Sequence, residues 1–379
     1  MRPATQPWCA MHASLFHPPA GTYFLSHSVG LQPRSAAQTF AEDFMAPWAA
    51  GDDKPWDAWL TAISRFQEAL APVIGARSAD ICPQTNISGG LTKVLHAIEP
   101  RPGRRKIVLC DADFPTVGFV LAQAERMNME IVWLQSGPQL ADPDAWSAAF
   151  AGDVHLVHIT HVFSNLGLKT PVAEIVRRAK AAGAITVVDV AQSAGAVRVD
   201  AEAWDCDFIT GTSVKYLCGG PGAAFLWVNP AIANKCRPTD VGWFSHARPF
   251  EFDIRNFEYA EGAARFWGGT PSVAPYAVAR AGVEAVAAIG AGEIELANQA
   301  LIDDILGRIP ENAVTSHVAA GERGSSFVIR PRRPVDAHHA LTEEKIAHDK
   351  RAGGLRFSVH LYNDKSDADR LVKTLSAFI

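Results

Sequence analysis

Residues 185–228 constrain this chain more than any other stretch. Ile185, Val187 and Val188 form a compact β-branched run that stops on Asp189, as a buried parallel strand would. Phe208 and Ile209 start a second short strand, and Lys215 follows just past its end. Gly211, Thr212 and Ser213 precede the lysine. Residues 219–222 read Gly-Gly-Pro-Gly, a loop that lets backbone come close to a ligand.

An Asp at a strand end is ordinarily a cap, and a Lys is ordinarily solvated at the surface. Placed together on neighbouring strand ends facing one crevice, they have a more specific use. Pyridoxal phosphate chemistry needs a lysine to hold the cofactor as a Schiff base and a carboxylate to keep its ring nitrogen protonated. The protonated ring is the electron sink for a carbanion at the substrate Cα.

Three groups of residues carry a family resemblance: Asp189, Val190, Ala191 and Gln192; Ser213 and Val214 with Lys215, Tyr216 and Leu217; and Gly220, Pro221 and Gly222. They resemble the class V aminotransferase superfamily of fold-type I enzymes, and kynureninase-like members most. The resemblance implies an α/β fold, with a large domain built on a mostly parallel seven-stranded sheet flanked by helices, plus a smaller α+β C-terminal domain. Residues 1–45 are then an N-terminal arm and part of the small domain, 46–271 the large cofactor-binding domain, and 272–379 the small domain.

The same resemblance assigns site residues along the chain. Residues 23–33, YFLSHSVGLQP, are similar to a kynureninase segment, with Gly30 and Pro33 as turn residues and no chemistry assigned to His27 or Ser28. The polar cluster at residues 80–90 opens a helix, which suits an anion site or a simple cap by Thr85 or Asn86. In the family, the positions of Gln84 and Thr85 hold the cofactor phosphate. Phe114, after a strand at 106–110, matches an aromatic that lies flat on the cofactor ring; the pattern continues with Asp where this chain has Val117. Gln192 is expected near the phenolic oxygen, with Thr212 among the cofactor contacts. Asn165 is either a second phenolic-oxygen contact or a turn residue. Trp243 matches an indole donor to the phosphate. Thr270 matches a residue that reaches the phosphate of the other subunit, which implies a homodimer. Arg356, in LRFSVHLYN, matches the arginine that pairs bidentately with the substrate α-carboxylate.

Periodicity places the helices. Leu60, Ile63, Phe66, Leu70 and Val73 share one stripe of a helix over 57–74, with Asp57 as its cap. Residues 274–307 read as long Ala-rich helices and 364–378 as a closing helix. His155, His158 and His161 lie on a strand at spacing three, which alternates faces, so they do not converge on a metal.

Composition excludes other classes. With 379 residues, 48% hydrophobic and 20% charged, the balance is that of a soluble globular protein. Net charge is −5, and no basic run is longer than Arg104, Arg105 and Lys106, so nucleic acid is not an expected partner. No apolar run approaches the ~20 residues of a membrane span. The N-terminus lacks the apolar core of a signal peptide. Six cysteines lie scattered without a C-x-x-C pair, as reduced thiols in the cytoplasm would.

The expected reaction transforms a small amino-acid substrate. Lys215 removes the Cα proton, and a kynureninase-like hydrolase or lyase then cleaves a bond at the β-carbon. Besides Val117, two positions depart from the kynureninase pattern. Gln192 stands where kynureninases have His, and Val214 where they have a Tyr that contacts the phosphate and is implicated in proton delivery. An aminotransferase or a β-eliminating C–S lyase stays open. A cysteine desulfurase would want a nucleophilic Cys on a mobile C-terminal loop, and residues 311–326 contain none. The intact acid, lysine and arginine argue against a non-enzymatic binding module.

Overall fold

Strands form where aliphatic and β-branched residues run together. In the computed structural model, which describes residues 11–150, 152–317 and 319–379, seven of them build one sheet. They are β1 (Ile81–Gln84), β2 (Lys106–Cys110), β3 (Glu130–Leu134), β4 (Val154–Thr160), β5 (Ile185–Asp189), β6 (Phe208–Thr212) and β7 (Ala224–Val228). The order across the sheet is β1-β7-β6-β5-β4-β2-β3. Strands β3, β2, β4, β5 and β6 are mutually parallel, and β7 runs antiparallel to both of its neighbours. This is the mostly parallel seven-stranded sheet that the resemblance implied.

Alternation along each strand splits its side chains between two cores. Val108, Val188 and Ile209 enter one core, with Ile63, Phe66 and Leu70 of the helix Pro55–Val73. Ile107, Leu109, Val187 and Phe208 enter the other, with Leu91 and Val94 of the helix Ile87–Leu95. Both sheet faces are therefore covered, and β4 and β7 are buried at every residue.

A third core surrounds a second, antiparallel sheet of β8 (Ser326–Ile329), β9 (Asp349–Arg351) and β10 (Gly354–Ser358), in the order β9-β10-β8. Ile302, Leu341 and Leu371 from three helices pack there, together with Phe24 from near the start of the described chain.

Some local expectations need correction. Pro55 occupies the first turn of its helix and the cap position falls on Lys54, so Asp57 lies inside the first turn and does not cap. Leu60 is only half-buried on that helix. The Ala-rich stretch divides into Ala274–Ile289 and Ala291–Leu306 at Gly290, whose φ of 92° breaks the helix. The closing helix is Lys365–Leu375, capped by the Asp364 carboxylate, which accepts from the Ser366 and Asp367 N–H groups. Residues 1–10 of the expected irregular arm, with Cys9, lie outside the described residues.

Candidate active site

The C-terminal ends of β4, β5 and β6 open onto a cavity of about 330 Å³. Ligand crevices in open α/β sheets lie beyond this end of the strands. Thr160 ends β4 and pairs in register with Asp189 at the end of β5; Asp189 pairs in turn with Thr210 of β6. Asp189, Gln192, Thr212 and Lys215 line the cavity with Thr85, Ser88 and Phe114.

The loop that carries Lys215 is held from three sides. Ser213 Oγ donates to the Ala223 carbonyl at 2.6 Å. The Gly30 N–H donates to the Val214 carbonyl at 2.9 Å, and a side chain at Gly30 would collide with the Lys215 carbonyl. His360 Nε2 lies 2.8 Å from the Tyr216 carbonyl. The His of the C-terminal motif thus braces the lysine loop.

Among the described residues Lys215 Nζ has no hydrogen-bond or ion-pair partner; it stands 5.6 Å from the centre of the Phe114 ring. Burial lowers its pKa, against the pull of the Asp189 charge. Burial likewise raises the Asp189 pKa, opposed by His158, by the Ala191 N–H that donates to Oδ1 at 2.7 Å, and by Lys215. An amine shifted toward its neutral form and a buried carboxylate thus share one cavity, a combination suited to covalent capture of an aldehyde.

The phosphate end differs from the sequence expectation. Asn86 caps the helix Ile87–Leu95, with Oδ1 accepting from the Gly89 N–H at 2.8 Å. Thr85 and Ser88 line the cavity beside this helix opening. Gln84 does not. Its side chain points to the other face of β1, where Nε2 donates to the Phe266 carbonyl at 2.9 Å. One residue of strand alternation separates it from Thr85.

Trp243 and Thr270 also stand off the main cavity. They meet each other, with the indole Nε1 donating to Thr270 Oγ1 at 3.3 Å. Thr270 and Thr85 border a smaller adjoining cavity of about 200 Å³. Asn165 is exposed and lines neither cavity.

Arg356 is buried behind the cavity wall. Nη1 donates to the carbonyl of Ser164, a lining residue, at 2.6 Å. Nε and Nη2 donate to the two Asp349 oxygens at 3.1 and 2.8 Å. Sequence reasoning missed Asp349, although the Gly353, Gly354 turn signals a hairpin that sets Asp349 opposite Arg356. It also missed Asp113, which accepts from Thr160 Oγ1 at 2.6 Å and lies 3.2 Å from His158 Nδ1. Burial lowers the His158 pKa, but the Asp113 charge outweighs this and raises it. No local motif marks that cluster, because its members come from separate elements.

Pyridoxal phosphate fits these residues by their own chemistry. Lys215 offers a partnerless amine, Asp189 a carboxylate, Phe114 a ring face and Thr85 and Ser88 hydroxyls at a helix opening. Gln192 Oε1 is buried without a partner, while its Nε2 donates to the His27 carbonyl at 3.1 Å. Among the described residues no His, Cys, Asp and Glu side chains gather as a metal site, and no helix is long and apolar enough to cross a membrane.

Comparison with known proteins identifies the family. The family model for aminotransferase class V matches residues 57–371. Kynureninase from Burkholderia pseudomallei is 30% identical over 379 residues, covering 94% of this chain and 89% of that protein. Kynureninase from Deinococcus radiodurans is 30% identical over 378 residues, covering 94% and 90%. Among solved structures, the apo cysteine desulfurase of Thermococcus onnurineus superposes with a TM-score of 0.83 at 20% identity, covering 94% of each chain. A cystine C–S lyase in complex with its product cysteine persulfide superposes at 0.85 with 21% identity, covering 95% of this chain and 98% of the other. These two structures carry the fold alone. The chain belongs to the class V aminotransferase family and is a pyridoxal-phosphate-dependent enzyme.

Proposed function

We propose, from that membership, that this enzyme takes an amino acid, removes its Cα proton and cleaves a bond at the β-carbon in the manner of a kynureninase. The observation that carries the proposal is the Lys215 amine, free of partners, in one cavity with the Asp189 carboxylate. When bound, pyridoxal phosphate supplies an aldehyde for amines and a ring that takes up the electron pair left at Cα.

The chain's own residues do the rest. Lys215 Nζ holds the cofactor; displaced by the substrate amine, it takes the Cα proton, which its lowered pKa suits. Asp189 holds a proton at the ring nitrogen. Thr85, Ser88 and the helix N–H groups would hold the phosphate, and Phe114 would offer its ring face to the cofactor. Gln84 anchors the 266–270 turn through the Phe266 carbonyl and makes no phosphate contact. Gln192 neighbours the phenolic oxygen and Thr212 flanks the cofactor. Trp243 and Thr270 form a unit that reaches the phosphate of a second subunit, so the enzyme works as a homodimer. Arg356 receives the substrate carboxylate. Five buried, unpaired cysteines among the described residues support a reducing cytoplasm as its location.

One observation favours a second reading. Val214 and Val117 line the cavity with Phe114 and Lys215, where a hydrolase would use a hydroxyl or an acid to deliver protons. An apolar wall suits β-elimination, which needs only a leaving group. A desulfurase-type nucleophile finds no support among the described cysteines: all five are buried, and burial pushes the Cys110 thiol up to about 12 and Cys236 to about 11. Incubation of the holoenzyme with kynurenine and with S-alkyl cysteines separates the readings. Free alanine from kynurenine supports hydrolysis; pyruvate and ammonia without an acceptor support the lyase. Keto-acid exchange with neither product would overturn both.

A further inference from the structure

We propose that Asp349 is the positioning residue of the substrate-carboxylate site: it fixes one edge of the Arg356 fork and leaves the rest for the substrate. The inference rests on the reading that Arg356 receives the α-carboxylate, and it is read out separately below.

An arginine carries five N–H donors in a rigid plane. The Asp349 oxygens take the Nε proton and one on Nη2, and the Ser164 carbonyl takes one on Nη1. One N–H on each terminal nitrogen is left, enough for a two-point contact with a second carboxylate. Arg356 and Asp349 are direct cross-strand partners in the β9-β10 ladder, so backbone register holds the pair. The guanidinium is 1% exposed. A long, flexible side chain is thereby held in one orientation behind Ser164, at the cavity wall.

Asp349 is itself held. His27 Nε2 lies 3.2 Å from Oδ1, and Arg351 Nη2 lies 3.0 Å from Oδ2. Burial pushes the Asp349 pKa up, but His27 and Arg356 outweigh it and hold the group well below the usual carboxylate range. It is therefore ionised at neutral pH. Burial also lowers His27 to about 4, so the imidazole is neutral at physiological pH and the fork keeps its negative partner undiluted. The His27 carbonyl receives Gln192 Nε2, which ties this corner to the cavity lining.

The alternative use of such a pair is obstruction, with Asp349 as an internal competitor for the carboxylate site. The two uses have opposite signs. The experiment titrates the visible band of the holoenzyme with L-alanine and with ethylamine, which differ by the carboxylate, and reads the apparent Kd of each. Arg356→Gln tests the underlying reading: it must weaken L-alanine and spare ethylamine, and equal effects on both would discard the carboxylate site itself. Given that result, Asp349→Asn is expected to weaken L-alanine by roughly ten- to a hundredfold, the worth of a charge-assisted hydrogen bond, and to leave ethylamine within about twofold. Asp349→Glu keeps the charge, should recover part of the L-alanine affinity, and shows the same selectivity if the Asn variant does not accumulate. Tighter L-alanine binding, no change, or equal losses for both ligands would overturn the positioning role.

Discussion

Two charged pairs, one lining the cavity and one behind its Ser164 wall, come from different sheets and are built in opposite ways. At the C-terminal ends of the seven-stranded sheet, Asp189 is buried and Lys215 half-buried, with no hydrogen bond or ion pair between them among the described residues. On the three-stranded sheet, Arg356 and Asp349 are locked together by two hydrogen bonds in a strand ladder. Burial penalises charge in both places. In the first corner the penalty stands and shifts both pKa values toward the neutral forms; in the second, the pair offsets it. On the proposed function, the difference separates a reactive site from a recognition site. A group that must exchange covalent partners cannot be satisfied by its neighbours, whereas a group that orients a ligand gains from being fixed beforehand.

Truncation should expose the contrast most sharply. Asp349→Ala leaves a buried guanidinium without its counter-charge and is expected to cost roughly 3–5 kcal/mol of folding stability. Lys215→Ala in the cofactor-free protein removes an unpaired buried amine and should cost nothing or stabilise. Denaturant unfolding of both variants measures this; equal losses would erase the distinction between the corners.

Within the reactive corner, Asp189→Asn keeps the shape and removes the charge. Turnover of whichever substrate is accepted should fall by about 10²- to 10³-fold, the scale of a lost electrostatic partner at a reacting centre, while the visible band on Lys215 persists. A drop below tenfold would mean that Asp189 is a structural cap. A smaller effect belongs to the wall between the corners. Phe114→Ala should weaken cofactor affinity by about fivefold, since stacking contributes ~1 kcal/mol beyond area burial. An unchanged Kd for pyridoxal phosphate would place the ring elsewhere.

That Asp189 and Lys215 come together in one cavity was readable in the sequence because the parts are local. A β-branched run ending in an acid, and a strand followed by lysine and glycines, each lie within a few residues of one another. The same locality explains the parallel sheet and the helix stripe of Ile63, Phe66 and Leu70. Expectation and structure part where a side chain's direction, not its neighbourhood, decides the outcome. Gln84 and Thr85 are adjacent in sequence, yet alternation sends one to Phe266 and the other to the cavity. The recognition corner was half readable. Arg356 stands out by its motif, but Asp349 becomes visible only when the turn at residues 353–354 is taken as a hairpin and the register is counted back. The Asp113, Thr160 and His158 cluster depends on packing between elements and has no local signature.

The central claim is that the Lys215 amine, left without a partner in the cavity above Asp189, is the point of covalent attachment. Borohydride reduction of the pyridoxal-phosphate-loaded protein, followed by peptide mass mapping, tests it most directly. The account predicts a single stoichiometric adduct on Lys215, absent from Lys215→Ala. An adduct on another lysine such as Lys93, or none at full loading, would contradict it.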